Sequence, residues 1–203
     1  MISSFSDAIE WDQLWPVNVS KDEEMSIEGH LAWISAYQKA AESISLGNDL
    51  HFDTMTFAGP VMQLVGLTTE LTLKTVLRGG GEDEKSLRKY SHNTYQAYLS
   101  ARNHFDEVKF IDLVFSNTQH LEMPDEVRLR LAESGEPNPR LRWRVFFDHL
   151  RILDETYDRP YRSRYIKPGH TVLPEPLILL AGTKILQTAM NDMLERARGL
   201  MKE

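Results

Sequence analysis

The 203-residue chain contains no cysteine. That excludes disulfide staples, thiolate nucleophiles and thiolate metal centres, and it fits a reducing compartment such as the cytoplasm. No apolar run approaches the roughly 20 residues that a membrane span requires, so no membrane partner is expected. The opening stretch MISSFSDAIEWDQLW is acidic and has neither a basic start nor an apolar core, which is not the pattern of a secretory signal. Period-two alternation is nowhere long enough for a sheet, and neither an internal repeat nor a low-complexity tract occurs. Several chemical signatures are also missing. Gly79-Gly80-Gly81 runs into Glu82-Asp83-Glu84 and lacks a following Lys-Ser/Thr, so it is not a phosphate loop. There is no G-x-S-x-G elbow. The seven histidines show no metal-ligand spacing with carboxylates, so neither a metal nor a cofactor is expected. Asp148 and Asp154, six positions apart, fall on different helix faces and do not make an acid/base pair. The formal charge of −7 argues against a general nucleic-acid coat but leaves room for a local basic site.

What is present reads as helix. A hydrophobic fraction of 41% and a length of 203 residues suit one buried core. Residues 1–20 read as an irregular arm tucking Trp11 and Trp15 against the body, and 21–203 as one domain. Ser20-x-x-Glu23 has the form of a capping box. The helix after it carries Ile27, Leu31, Ile34, Gln38, Ala41 and Ile44 on one stripe and stops at Gly47-Asn48-Asp49. A second helix is expected from Pro60 to the glycine triplet, apolar over a wide arc (Val61, Leu64, Val65, Leu67, Leu71, Val76) and therefore central. Further helices are expected over 91–103, 106–118 and 141–157; within 119–140, an insertion or long connection, residues 124–139 read as a short polar helix followed by Gly135 and two prolines. Residues 159–176 hold Pro160, Pro168, Gly169, Pro174 and Pro176 and cannot be regular. The last helix starts at Pro176, with Ile178, Gly182, Ile185, Ala189, Met193, Ala197 and Leu200 as its stripe. The expectation is an all-α, single antiparallel bundle of about five to seven helices, with an irregular Pro-rich loop before the last one.

Glu70 and Lys74 stand four apart with Glu first, the favourable order for a helical pair. Leu67 and Leu71 share their side, so the pair can lie partly inside the bundle, where His92 or Tyr95 would have to complete its hydrogen bonds. The plainer reading is an exposed ion pair of little consequence.

These residues carry a family resemblance. Glu70-Leu71-x-Leu73-Lys74-x-x-Leu77, a glycine-rich loop and then Tyr90-Ser91-His92-Asn93-x-Tyr95 resemble the HEPN (higher eukaryotes and prokaryotes nucleotide-binding) family, in which an E-L-x-L-K helix precedes one opening with a G-H-D-L type turn. Arg164-Tyr165 is similar to the R-Y pair that many such domains carry. The match covers about a fifth of the chain; Ser91 stands where glycine is usual, and Asn93-Thr94 where D-L is usual. The resemblance implies an antiparallel bundle, commonly a homodimer, found in toxin–antitoxin, phage-defence and nucleotide-handling systems.

Active HEPN ribonucleases carry an arginine, four to six residues, then a histidine. Histidine can move the 2′-hydroxyl proton near neutral pH, and arginine can hold the scissile phosphate. Two stretches have that spacing: Arg144 to His149, inside an expected helix, and Arg164 to His170, in the irregular segment. Otherwise His149 is a histidine at the edge of the core, one turn from Phe146 and Leu153, and His170 an exposed loop residue. A stronger local signal is YDRPYRSRYIK over 157–167. It interleaves Arg159, Arg162, Arg164 and Lys167 with Tyr157, Tyr161 and Tyr165, a composition that suits phosphate pairing and base stacking. Residues 128–167 hold ten Arg and Lys against six Asp and Glu, a local +4 on a chain of −7. The competing reading pairs these arginines with Asp148, Asp154, Glu155 and Asp158.

Two function classes follow. The first is a HEPN-like domain that binds RNA or a nucleotide; if active, it would be a metal-independent endoribonuclease using Arg144 or Arg164 with His149 or His170, and otherwise a degenerate relative. The alternative is a non-enzymatic helical module that binds a protein partner through an acidic surface and the Met-rich final helix (Met190, Met193, Met201).

Overall fold

Ser26 caps the first helix, its Oγ accepting the Gly29 N–H at 3.1 Å. The capping-box residues Ser20 and Glu23 lie outside the described residues. The computed structural model describes residues 26–46, 54–157 and 173–197; within them the fold is all-α, with nine α-helices and no strand. They are α1 (Ile27–Leu46), α2 (Thr54–Gly79), α3 (Glu84–Arg88), α4 (Thr94–Ala101), α5 (Glu107–Asn117), α6 (Asp125–Glu133), α7 (Pro139–Trp143), α8 (Phe146–Tyr157) and α9 (Pro176–Ala197), with a 3₁₀ turn at Arg102–His104 after α4. Among the described residues no helix is long and apolar enough to cross a membrane.

α2 is the centre, packing against α1, α3, α4, α8 and α9. Its sequence hides how buried it is. Thr68, Thr69, Thr72 and Thr75 are all buried. Each hydroxyl donates to the carbonyl four residues back, at 2.7–2.8 Å, so these side chains enter the core as small apolar groups. The helix starts six residues before the expected Pro60. A proline usually expels the preceding residue from helical geometry by colliding with its Cβ, and Gly59 has none. α1 buries Leu31, Ile34, Gln38 and Ala41. Gln38 is fully satisfied against α9: its Nε2 donates to the Leu180 carbonyl, and its Oε1 accepts from Thr183 and Gln187.

Three other expectations are corrected. The helix expected over 141–157 is broken at Arg144-Val145, because the His149 ring takes the Trp143 carbonyl that would have continued the ladder. The short polar helix expected within 124–139 is present as α6, which buries none of its residues. On α9 the inward face is Ile178, Leu179, Gly182, Thr183, Leu186 and Gln187, whereas Ala189 is exposed and Met193 is 63% exposed. Gly182 is required there: a Cβ would stand 2.2 Å from the Phe146 ring. The helix count exceeds five to seven through α3 and α7, five-residue pieces too short to show periodicity.

Candidate functional site

The most organised polar cluster is built on one carboxylate. Glu70, on α2 and 7% exposed, lies where α2, the turn before α4 and the end of α8 meet. Lys74 Nζ, one turn on, donates to Glu70 Oε1 at 2.6 Å and to the Ser91 carbonyl at 2.7 Å. His92 Nδ1 lies 2.9 Å from Glu70 Oε2. Tyr157 Oη donates to the same oxygen at 2.8 Å. An ionised carboxylate only accepts, so His92 carries its proton on Nδ1. Burial alone would raise the Glu70 pKa, but the hydrogen bonds from His92, Lys74 and Tyr157 and the Lys74 charge outweigh it and hold the carboxyl below its ordinary value.

Local backbone chemistry sets this geometry. Ser91 adopts φ 49°, the left-handed region, and so aims its carbonyl at Lys74. Asn93 caps α4 by accepting from the Gln96 N–H. Asp154 of α8 caps the same helix from outside: Oδ1 accepts from the Thr94 N–H and hydroxyl, and Oδ2 from the Tyr95 N–H. A carboxylate at a helix N-terminus is favourable, and this one fixes α8 to α4. The last turn of α8 thereby delivers Tyr157 to Glu70. Its ring fits because α2 has glycine one turn before Glu70; a Cβ on Gly66 would come within 2.2 Å of the Tyr157 ring. The His92 and Tyr157 rings meet edge to face at 5.7 Å.

No protein-family model, curated protein or solved structure matches the chain. The site is therefore read from its own chemistry.

The structure brings Glu70, Lys74 and His92 together, and leaves His149 and Arg144 elsewhere. His149 is 5% exposed. Its Nδ1 accepts the Glu175 N–H at 3.1 Å and its Nε2 donates to the Trp143 carbonyl. Burial lowers its pKa, only partly offset by the Trp143 bond and Asp148, so the ring is neutral with both nitrogens engaged. It is a strut between the α7–α8 junction and the start of α9, with no nitrogen free for proton transfer. Arg144 is half-buried, its Nε buried without a hydrogen-bond partner. Asp148 pairs with Arg142 at 3.0 Å. Arg159, Tyr161, Arg162, Arg164, Tyr165, Lys167 and His170 lie outside the described residues, as do Trp11 and Trp15. Among the described residues no group of three His, Asp or Glu could hold a metal ion.

Sequence reasoning missed Asp154 and Tyr157 as members of this cluster. The available signal was Gly66, a glycine inside a strongly apolar helix one turn before a charged residue, which marks close approach of another group.

Proposed function

We propose that this chain is a HEPN-like helical domain that binds RNA or a nucleotide, with the arginine–tyrosine stretch 157–167 as its contact surface. The observation that carries this is the Glu70 cluster. One carboxylate gathers the E-L-x-L-K helix, the histidine turn and Tyr157, the first residue of the basic stretch. The stretch therefore leaves the described fold beside Lys74 and His92, whose side chains are 22% and 33% exposed. Guanidinium groups there would pair with phosphates, and tyrosine rings would stack on bases. Any cleavage falls to Arg164 and His170 rather than to Arg144 and His149, since His149 has both nitrogens engaged in the core. A homodimer is expected on the resemblance alone. A protein-binding module remains the second reading, favoured by the exposed Met193 on α9.

The test is fluorescence anisotropy with labelled single-stranded RNA and labelled ATP, for wild type, Arg162→Glu and Arg164→Glu, with RNA integrity followed in EDTA beside His170→Ala. Binding that either charge reversal weakens at least tenfold supports the proposal, and cleavage lost only in His170→Ala adds the ribonuclease. Absence of binding to both ligands, or equal binding by all variants, overturns it.

A further inference from the structure

α9 is covered on one side and open on the other. Two apolar cavities run along its open side. One, about 690 Å³, lies between α5 and α9; the other, about 410 Å³, lies between the end of α2, the His104-Phe105 corner and α9. Both are lined by Phe105, Leu186 and Ala189, so they form one groove. It follows α9 from Leu177 to Leu194, about 26 Å at the helical rise. Its walls expose Leu113 and Met193, 38% and 63% accessible. A trough of this length is the shape that takes a chain segment laid along a helix.

We infer that the occupant is this chain's own N-terminal arm, residues 5–15, seated through Phe5, Ile9, Trp11 and Trp15. Two observations favour it. First, the described chain begins at the groove: Ile27, the first residue of α1, lines the cavity beside the end of α2. Second, the tether is long enough. Trp15 lies twelve positions before Ile27, a reach of up to about 40 Å, which exceeds the groove. Seating covers the apolar wall that would otherwise remain open.

The absence of cysteine makes the test direct. In the full chain, Ala189→Cys puts one thiol on the groove floor, and its alkylation rate is compared between the native arm and an arm carrying Trp11→Ser and Trp15→Ser. The same comparison at Glu133→Cys on exposed α6 is the control. The expected result is several-fold slower alkylation at 189 with the native arm and no arm effect at 133. A second full-chain variant, Gln13→Cys with Ala189→Cys, keeps both tryptophans and is expected to crosslink within one molecule at low protein concentration. Equal alkylation with both arms, absence of the crosslink, or protection that grows with protein concentration, which would mean a second copy in the groove, overturns the inference.

Discussion

Removing one oxygen atom from Tyr157 tests the Glu70 cluster most cleanly. Tyr157→Phe keeps the ring against Gly66 and deletes only the hydroxyl that donates to Glu70 Oε2 at 2.8 Å. A hydrogen bond to a charged group contributes about 1.5–3 kcal/mol. Glu70 keeps Lys74 and His92, so no bare charge is left, and the expected loss lies near the lower end, about 1.5–2 kcal/mol. Glu70→Gln costs more. Breaking a buried pair costs about 3–5 kcal/mol, but Lys74 and His92 are 22% and 33% exposed and recover water, so about 2–3 kcal/mol is expected. Because the hydroxyl acts through the carboxylate, the double variant should cost little more than Glu70→Gln alone, a non-additivity of at least about 1 kcal/mol. Urea unfolding at pH 7 reads all three, with unchanged m-values. The pH dependence has a fixed sign. Glu70 has a folded pKa below its ordinary value, so its contribution is present above about pH 4.5 and is lost as pH falls through the folded value. The stability gap between wild type and Glu70→Gln should therefore close on acidification, while the burial-raised Glu175 cancels in the comparison. A Tyr157→Phe loss below about 0.5 kcal/mol, or strict additivity, would refute the cluster as described.

His149→Phe should destabilise by about 2–4 kcal/mol, since it strands the Trp143 carbonyl and the Glu175 N–H; thermal unfolding checks this, and RNA binding by the folded fraction should be unchanged. Because the His149 pKa is lowered, wild type should also lose stability below pH 6.5 more steeply than this variant. Gly66→Ala sets a methyl 2.2 Å from the Tyr157 ring and should cost about 1–3 kcal/mol of overpacking, with altered tyrosine near-UV circular dichroism. Ser91→Gly removes about 1–2 kcal/mol of left-handed strain and adds about 0.5–1 kcal/mol of unfolded-state entropy, so chemical denaturation should show a net gain of about 0.5–1 kcal/mol.

Much of the fold could be read from periodicity. The α1 stripe through Leu31, Ile34 and Ala41 is the buried one, α9 begins at Pro176, and α5 falls within a residue of the expected 106–118. These depend on local pattern and capping. What could not be read depends on side-chain contacts that no periodicity displays, some of them local and some distant in sequence. The α2 threonines look polar until each hydroxyl is seen bonded to its own helix. The α7–α8 break follows from the His149 bond to Trp143. The outward turn of Ala189 and Met193 follows from α9 packing against α1, α2, α5 and α8 on one side. The candidate site divides the same way: Glu70 and Lys74 at four-residue spacing announce themselves, whereas Tyr157 reaches Glu70 across 87 residues and Asp154 reaches Thr94 across 60.

The salt dependence of RNA binding tests the proposed function most directly. Single-stranded binding falls with a log–log slope of about 0.7 per phosphate contact. If Arg159, Arg162, Arg164 and Lys167 each meet one phosphate, the slope of log K against log salt should be about −2.8, and each Arg→Gln change should make it shallower by about 0.7. A slope near zero, or one unaffected by these substitutions, would contradict RNA binding through this stretch.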